Sequence, residues 1–131
     1  MKKLLILLFV LFGISGFSQD IVWKEYENIS GVIIKTSNIV CHNNEILTFQ
    51  IENSNDYQVT ISWYEEVWID GVCKQEGKDN PEHFRELILH PGQVVQGDCT
   101  FIESFYIGSK VYRGDVVMKL THFQLNNIVV L

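Results

Sequence analysis

The sequence has few positive charges and lacks the motifs that commonly mark an enzyme. Its 131 residues include ten Lys and Arg against sixteen Asp and Glu, for a formal net charge of −6. Nucleic acids and anionic lipids are bound by clustered basic side chains, so neither is expected as a partner. The chain has no Gly-x-Ser-x-Gly, His-Glu-x-x-His or glycine-rich phosphate-binding motif. We therefore expect a protein without catalytic activity.

Metal-binding motifs are also absent. A blue-copper site needs Cys, His and Met closely spaced on one late loop, whereas here Met118 precedes His122 and Cys99 lies far before both. The acidic residues between Asp70 and Glu82 do not match a calcium-binding loop. We interpret the histidines as isolated turn or surface residues: His42, His83, His90 and His122. Neither a metal nor another cofactor is expected.

The one long apolar run stands at the amino terminus. Residues 1–18 begin with two lysines, continue with the apolar run and end in small residues, which is typical of a bacterial secretory signal peptide. The run is too short to span a bilayer as a helix, and no later segment of spanning length follows. We predict cleavage before Gln19 and one mature domain over 19–131. That domain would be secreted or periplasmic, without membrane insertion after cleavage.

The stretch 46–70 predicts two long β-strands. Leu47, Phe49 and Ile51 alternate with polar residues in the first strand, and the odd-numbered positions from Tyr57 to Trp63 repeat the pattern in the second. A polar turn over 53–56 separates the strands. We therefore expect a hairpin whose odd-numbered side chains face the core.

The rest of the mature chain also has β patterns and turn signals, and no helical period. Turn residues recur every ten or so positions, and Asp70-Gly71 is a tight-turn signal. This pattern predicts about seven to nine short strands. The expected fold is all-β, an immunoglobulin-like antiparallel β-sandwich.

Glu65 and Glu66 interrupt the alternation of the second strand. An unbroken alternation would point Glu65 into the core, where a carboxyl group needs a partner or a raised pKa. A β-bulge between Tyr64 and Glu66 would instead let both glutamates face water. We favour the bulge over the core-facing glutamate.

The outward side of the same strand carries the one positive signal for binding. Tyr64 and Trp68 are expected on the solvent side with Glu66 between them. Aromatic residues on a flat sheet can contact a protein or a sugar ring. We predict that Tyr64, Glu66 and Trp68 form a binding face for an unknown protein or glycan. The alternative is that a loop or the segment from Trp23 to Tyr26 covers these aromatic residues.

Three cysteines remain after export, and an oxidising compartment would pair two of them. The loop-closure stabilisation of the three possible pairs is close, about 3.5 to 4.2 kcal/mol, and does not separate them. We favour Cys73 with Cys99, because both flank an expected hairpin from Phe84 to Gln96. Cys41 would then be a free, buried and inert thiol.

A series of short motifs runs from Trp23 to Cys99. The motifs are Trp23-Lys24-x-Tyr26, Gly31-Val32-x-Ile34, Cys41, Phe49-x-Ile51-x-Asn53, Val59-x-Ile61-Ser62-Trp63, Glu66-x-Trp68-x-x-Gly71-x-Cys73, Leu87-x-Leu89-x-Pro91-Gly92 and Gly97-x-Cys99. This layout resembles a group of small, secreted, uncharacterised bacterial proteins, and more broadly it is similar to bacterial immunoglobulin-like domains. The resemblance implies a sandwich, and it implies no catalytic residue.

The first functional expectation is a secreted, non-catalytic binding or interaction module. A second is a small exported hydrolase or redox enzyme whose site is assembled from dispersed residues such as Glu65, His83 or Cys41. A third is a structural or accessory protein of the cell envelope. An exposed aromatic face would favour the first, and a reactive thiol or a tightly held metal would favour the second.

Overall fold

The computed structural model describes residues 20–78 and 80–131. The predicted signal peptide over 1–18 lies outside the described residues and stays a prediction. Within the described part of the chain, no helix is long and apolar enough to cross a membrane.

The described residues form nine β-strands and two short 3₁₀ turns. The strands are β1 (Lys24–Ile29), β2 (Val32–Cys41), β3 (Asn44–Asn53), β4 (Val59–Ile69), β5 (Val72–Glu76), β6 (Phe84–Leu89), β7 (Val94–Gln96), β8 (Tyr106–Arg113) and β9 (Val116–Val130). The 3₁₀ turns, Pro81–His83 and Glu103–Phe105, directly precede β6 and β8. The predicted all-β class is confirmed.

The strands build an antiparallel sheet that curls into a half-barrel. Its order is β1-β2-β3-β8-β9-β4-β5, with β6 added to β4 and β7 added to β3. Strand β9 produces the curl, because its residues 116–119 pair with β8 and its residues 120–130 pair with β4. The two parts of the sheet around β3 and β4 therefore share one apolar interior.

Strands β3 and β4 occur where the sequence predicts them, but they do not pair with each other. β3 pairs with β2, β7 and β8, whereas β4 pairs with β5, β6 and β9. The predicted hairpin is wrong, since the exposed connection after Asn53 takes the chain from the part of the sheet around β3 to the part around β4. The buried Asn53 Nδ2 holds this connection, with the carbonyl oxygens of Tyr57, Leu89 and His90 at 2.8, 3.2 and 3.1 Å.

The core is built from the inward faces of these two strands and their neighbours. Its largest fully buried side chains are Trp63 and Phe49. The other members include Val32, Ile34, Leu47, Ile51, Val59, Ile61, Val67, Leu89, Ile107 and Leu125. The predicted odd-numbered core face is confirmed from Leu47 to Ile51 and from Val59 to Trp63, whereas the predicted inward Tyr57 is wrong, because it lies before β4 and is 57% exposed.

The alternation of β4 continues through Glu65 without a bulge in that strand. Residues 59, 61, 63, 65 and 67 are all buried, and Glu65 is 2% exposed. The register shifts instead arise in the partner strands, where β9 has an extra residue opposite 62–64 and another opposite 68–69. The predicted outward Glu65 is therefore wrong, because the neighbours of β4 take up the irregularity.

The predicted cysteine pairing is also wrong. A disulfide joins Cys41 to Cys99, with Cα atoms 5.5 Å apart, and Cys73 is the free thiol. The prediction assumed a hairpin from Phe84 to Gln96, but β6 pairs with β4 while β7 pairs with β3. Cys73 therefore lies beside β4, and Cys99 lies beyond β7 near the end of β2.

Candidate functional site

A cavity of about 420 Å³ opens inside the curl, next to the central strand β4. Strands β4, β5, β6, β8 and β9 all contribute side chains to its wall. Ligand sites for small molecules usually measure about 300–1,000 Å³ and combine apolar walls with a few polar groups. The apolar part of this wall consists of Val67, Ile69, Ile107, Val111 and Met118.

Glu65 is the buried acid of this wall. Its backbone position in β4 points it to the same side as Trp63 and Val67, and its side chain is 3% exposed. One carboxylate oxygen, Oε2, lies 3.4 Å from Nη2 of Arg85. The other oxygen, Oε1, and the nearby indole Nε1 of Trp63 have no hydrogen bond of regular geometry among the described residues, although the indole N–H interacts with the carboxyl group and lowers its pKa.

Burial changes the acidity of Glu65. Desolvation raises its pKa to about 7 and outweighs the opposing effects of the Arg85 guanidinium and the Trp63 indole. The nearby Glu103 carboxylate adds a smaller upward effect. The carboxyl group is therefore close to half-protonated near neutral pH, which is uncommon for a glutamate.

Arg85 reaches the same place from β6. It pairs across the sheet with Trp63, so its side chain lies on the inward face beside Glu65. Its Nη1 donates to the carbonyl oxygens of Glu82 and Phe84 at 2.8 and 2.9 Å. Nη2 also lies 3.9 Å from a carboxylate oxygen of Glu103, whereas the buried Nε has no partner among the described residues. The two backbone contacts fix the guanidinium through Nη1.

Further polar side chains line the cavity around this pair. Lys74 and Gln75 come from β5, and Arg113 comes from the end of β8. Gln75 pairs with Val67 across the sheet and faces inward, and its buried Oε1 has no partner in the described part of the chain. The cavity therefore combines an apolar wall with several polar groups whose hydrogen-bonding capacity is unused.

The predicted residues Tyr64, Glu66 and Trp68 lie on the opposite, outward side of β4. The structure brings Glu66 and Trp68 together, with the Trp68 indole N–H donating to Glu66 Oε1 at 2.8 Å. Tyr64 instead packs on Phe84, with ring centroids 5.2 Å apart. The three side chains share a face, as predicted, but only two of them contact one another.

Strand β9 completes the arrangement around Glu66. Asn126 Nδ2 donates to Glu66 Oε2 at 3.0 Å, and the His122 ring lies edge-on to Trp68 at 6.5 Å. The hydrogen bonds from Asn126 and Trp68 lower the pKa of Glu66. Both oxygens of this carboxylate are thus occupied by protein donors. A groove beside the cluster also contains the free thiol Cys73.

The residues suggested for an enzyme do not form a common site. Cys41 belongs to the disulfide and has no free thiol. His83 ends the 3₁₀ turn before β6 and does not line the cavity, whereas Glu65 does. Over residues 20–78 and 80–131, no group of three or more His, Cys, Asp or Glu side chains is arranged to hold a metal ion.

Sequence reasoning identified the outward residues and missed the cavity. Arg85 has the same alternation phase as Leu87 and Leu89, which marks it as an inward residue of β6. An inward arginine together with an inward glutamate would have suggested a buried ion pair. The pairing of β4 with β6, which brings the two together, is not readable from the local pattern.

Comparison with known proteins gave no match to any family model, any curated protein or any solved structure.

Proposed function

We propose that this protein is a non-catalytic binding module that holds a small, partly apolar molecule in the cavity inside the curled sheet. The observation that carries the proposal is the acid Glu65, which is buried on the wall of that cavity and whose Oε1 has no regular hydrogen bond among the described residues. As in the sequence-based expectation, the module would be exported, and its half-barrel would serve as an immunoglobulin-like scaffold.

The energetics of Glu65 support a role beyond folding. Burying a carboxyl group with an unused oxygen costs on the order of 1–3 kcal/mol, and an apolar residue at this position would avoid that cost. The neighbouring inward positions of β4 are Trp63 and Val67, both of which are buried and apolar. A strongly perturbed acid in a cleft is a recognised indicator of a functional site.

The cavity is a better candidate than the outward face of Tyr64, Glu66 and Trp68. The polar atoms of Glu66 and Trp68 already satisfy one another and Asn126. Among the residues that line the cavity, by contrast, Glu65, Gln75 and Arg85 each have a buried atom without a hydrogen-bond partner in the described part of the chain. A ligand gains most where it satisfies such atoms, so the outward face remains a secondary surface for a protein or glycan partner.

The pKa of Glu65 favours one alternative, a small hydrolase in which this residue acts as a general acid or base. A group with a pKa of about 7 suits proton transfer near neutral pH. The described residues that line the cavity include no Ser, Thr, Cys or His that could serve as a nucleophile or relay. Binding therefore requires fewer additional assumptions than catalysis.

Titration with the neutral fluorophore phenylnaphthylamine tests the binding proposal. This probe reports an apolar cavity independently of charge. We expect saturable binding of one probe per protein and a loss of affinity of about tenfold or more in Val111→Phe, whose added ring occupies the cavity wall.

A matched control separates cavity filling from general effects of a larger side chain. Val129→Phe makes the same change at a position that is 43% exposed and does not line the cavity. A second control, Trp68→Ala, removes an aromatic side chain from the outward face. Both variants should bind the probe like the wild type. Absence of saturable binding, or an equal loss in Val111→Phe and Val129→Phe, would contradict the proposal.

A further inference from the structure

We propose that the cavity selects an organic anion, a carboxylate carried on an apolar body, whose charged head contacts Arg85. This inference rests on the proposed binding function and adds the chemical class of the ligand. It depends on the charges of the cavity wall, on the free edge of Arg85 and on the position of the apolar side chains.

The cavity wall is positive although the chain is negative. Its described residues include three cations, Lys74, Arg85 and Arg113, and two carboxyl groups, Glu65 and Glu103. The side chain of Glu103 is 81% exposed, and Lys74 and Arg113 are exposed as well, so water screens these three charges. Arg85 is the cation held inside the wall. The full sequence has a net charge of −6, which makes this local excess of positive charge unusual for the molecule. An anion is therefore favoured over a cation.

The free donor of Arg85 has the geometry that a carboxylate uses. Nη1 is bound to two backbone carbonyl oxygens, which fixes the orientation of the guanidinium plane. Among the described residues, Nε has no partner, and Nη2 has the longer contacts to Glu65 and Glu103 at 3.4 and 3.9 Å. Nε and Nη2 form one edge of the guanidinium, and a carboxylate can accept from both at once.

Glu65 does not prevent an anion from occupying this place. Burial already favours its neutral form, and a second negative charge beside it would favour that form further. A protonated Glu65 can donate a hydrogen bond to the incoming carboxylate. The buried Oε1, which has no partner in the described residues, then gains one.

The remaining wall suits an apolar body. Val67 and Ile69 follow Glu65 on the inward side of β4, and Val111 pairs with Met118 on β8 and β9. These side chains lie on the same cavity as the polar groups, so an amphipathic molecule satisfies both parts. A fully polar anion would leave the apolar wall without contacts.

Three probes with the same apolar chain test the ligand class: decanoate, decanol and decylamine. Isothermal titration calorimetry at about pH 6, where Glu65 is mostly protonated and decanoate is ionised, would measure the affinity of each. We expect decanoate to bind about tenfold or more tightly than decanol, and decylamine to bind most weakly, because the probes differ only in the head group.

Two variants locate the head group. Arg85→Gln should weaken decanoate binding about tenfold or more and decanol binding much less, so that the preference for decanoate is lost; the remaining decanol binding reports that the variant is folded. Lys35→Gln is the matched control, because it removes the same charge from a residue that does not line the cavity. Should Arg85→Gln fail to fold, Glu65→Gln supplies the test. It removes the acid's charge and should bind decanoate at least as tightly as the wild type.

The outcomes distinguish this inference from the proposed function. If none of the three probes binds, the cavity is not a ligand site and both proposals fail. If decanol or decylamine binds as tightly as decanoate, the binding function holds and the anionic class is wrong. Loss of decanoate binding in Glu65→Gln, or an unchanged affinity in Arg85→Gln, would also overturn the assignment of the head group.

Discussion

Glu65 carries a carboxyl group that is buried on the inner face of β4. Its neighbours in β4 make the inner face apolar, and its own side chain is 3% exposed. Among the described residues, Arg85 lies 3.4 Å from one of its oxygens. This environment stabilises the protonated acid, so the folded protein binds a proton that the unfolded chain has already released.

The stability of the fold should therefore depend on pH through Glu65. The pKa is raised from 4.5 to about 7, so the folded state holds more protons between these values, and the free energy of unfolding falls as pH rises through that range. The shift corresponds to about 3 kcal/mol. Denaturant unfolding at several pH values would measure this slope.

Glu65→Gln is the matched variant for this measurement, because its side chain has a similar shape and does not titrate. The difference in the free energy of unfolding between wild type and variant should change by about 3 kcal/mol between pH 4.5 and about pH 7, and it should stay constant at higher pH. A difference that stays constant with pH would mean that Glu65 has an ordinary pKa in the folded protein.

The elements of the fold could largely be predicted from the sequence, whereas their pairing could not. Alternating side chains located β3 and β4, and Asp70-Gly71 forms the predicted tight turn between β4 and β5. Alternation shows which side chains face inward, but it is the same in a hairpin and in two strands that face each other across a core. Strands β3 and β4, which are joined after Asn53, face each other across the core.

The errors at the cavity and at the disulfide have this same origin. Arg85 meets Glu65 because β6 pairs with β4, and Cys41 meets Cys99 because β7 pairs with β3 beside β2. Such contacts join residues that are distant in the chain. The outward face of Tyr64, Glu66 and Trp68 could be predicted because it needs only the local alternation of one strand.

The disulfide should contribute strongly to stability, because it closes a long loop between β2 and the segment after β7. Cys41 and Cys99 are separated by 58 residues, for which chain entropy predicts about 4 kcal/mol. Replacing both by Ser should lower the free energy of unfolding by that amount in a denaturant titration.

Cys73→Ser is the control for the disulfide, since this half-buried residue is a free thiol. It should alter the free energy of unfolding by less than about 1 kcal/mol. An equal loss in Cys73→Ser and in the double variant would contradict the assigned pairing. Peptide mapping without reduction should recover Cys41 linked to Cys99.

At the scale of the whole molecule, the long strand β9 links the two parts of the sheet and creates the interior. Its first residues pair with β8 and the rest with β4, which curls the sheet around one core. The large side chains Trp63 and Phe49 fill that core. The cavity lies beside it, so the polar groups on its wall are held by strands rather than by loops alone.

In our proposal, Glu65 is a perturbed acid on the wall of an interior ligand site. Carbon-13 NMR of the glutamate carboxyl groups, with and without decanoate, tests this most directly. Glu66 lies on the other side of β4 and serves as the internal reference. We predict that the Glu65 resonance titrates near pH 7 and moves when decanoate is added. The Glu66 resonance should titrate at lower pH and should not respond to decanoate. A Glu65 resonance that titrates near 4.5, or one that does not respond to decanoate, would contradict the account.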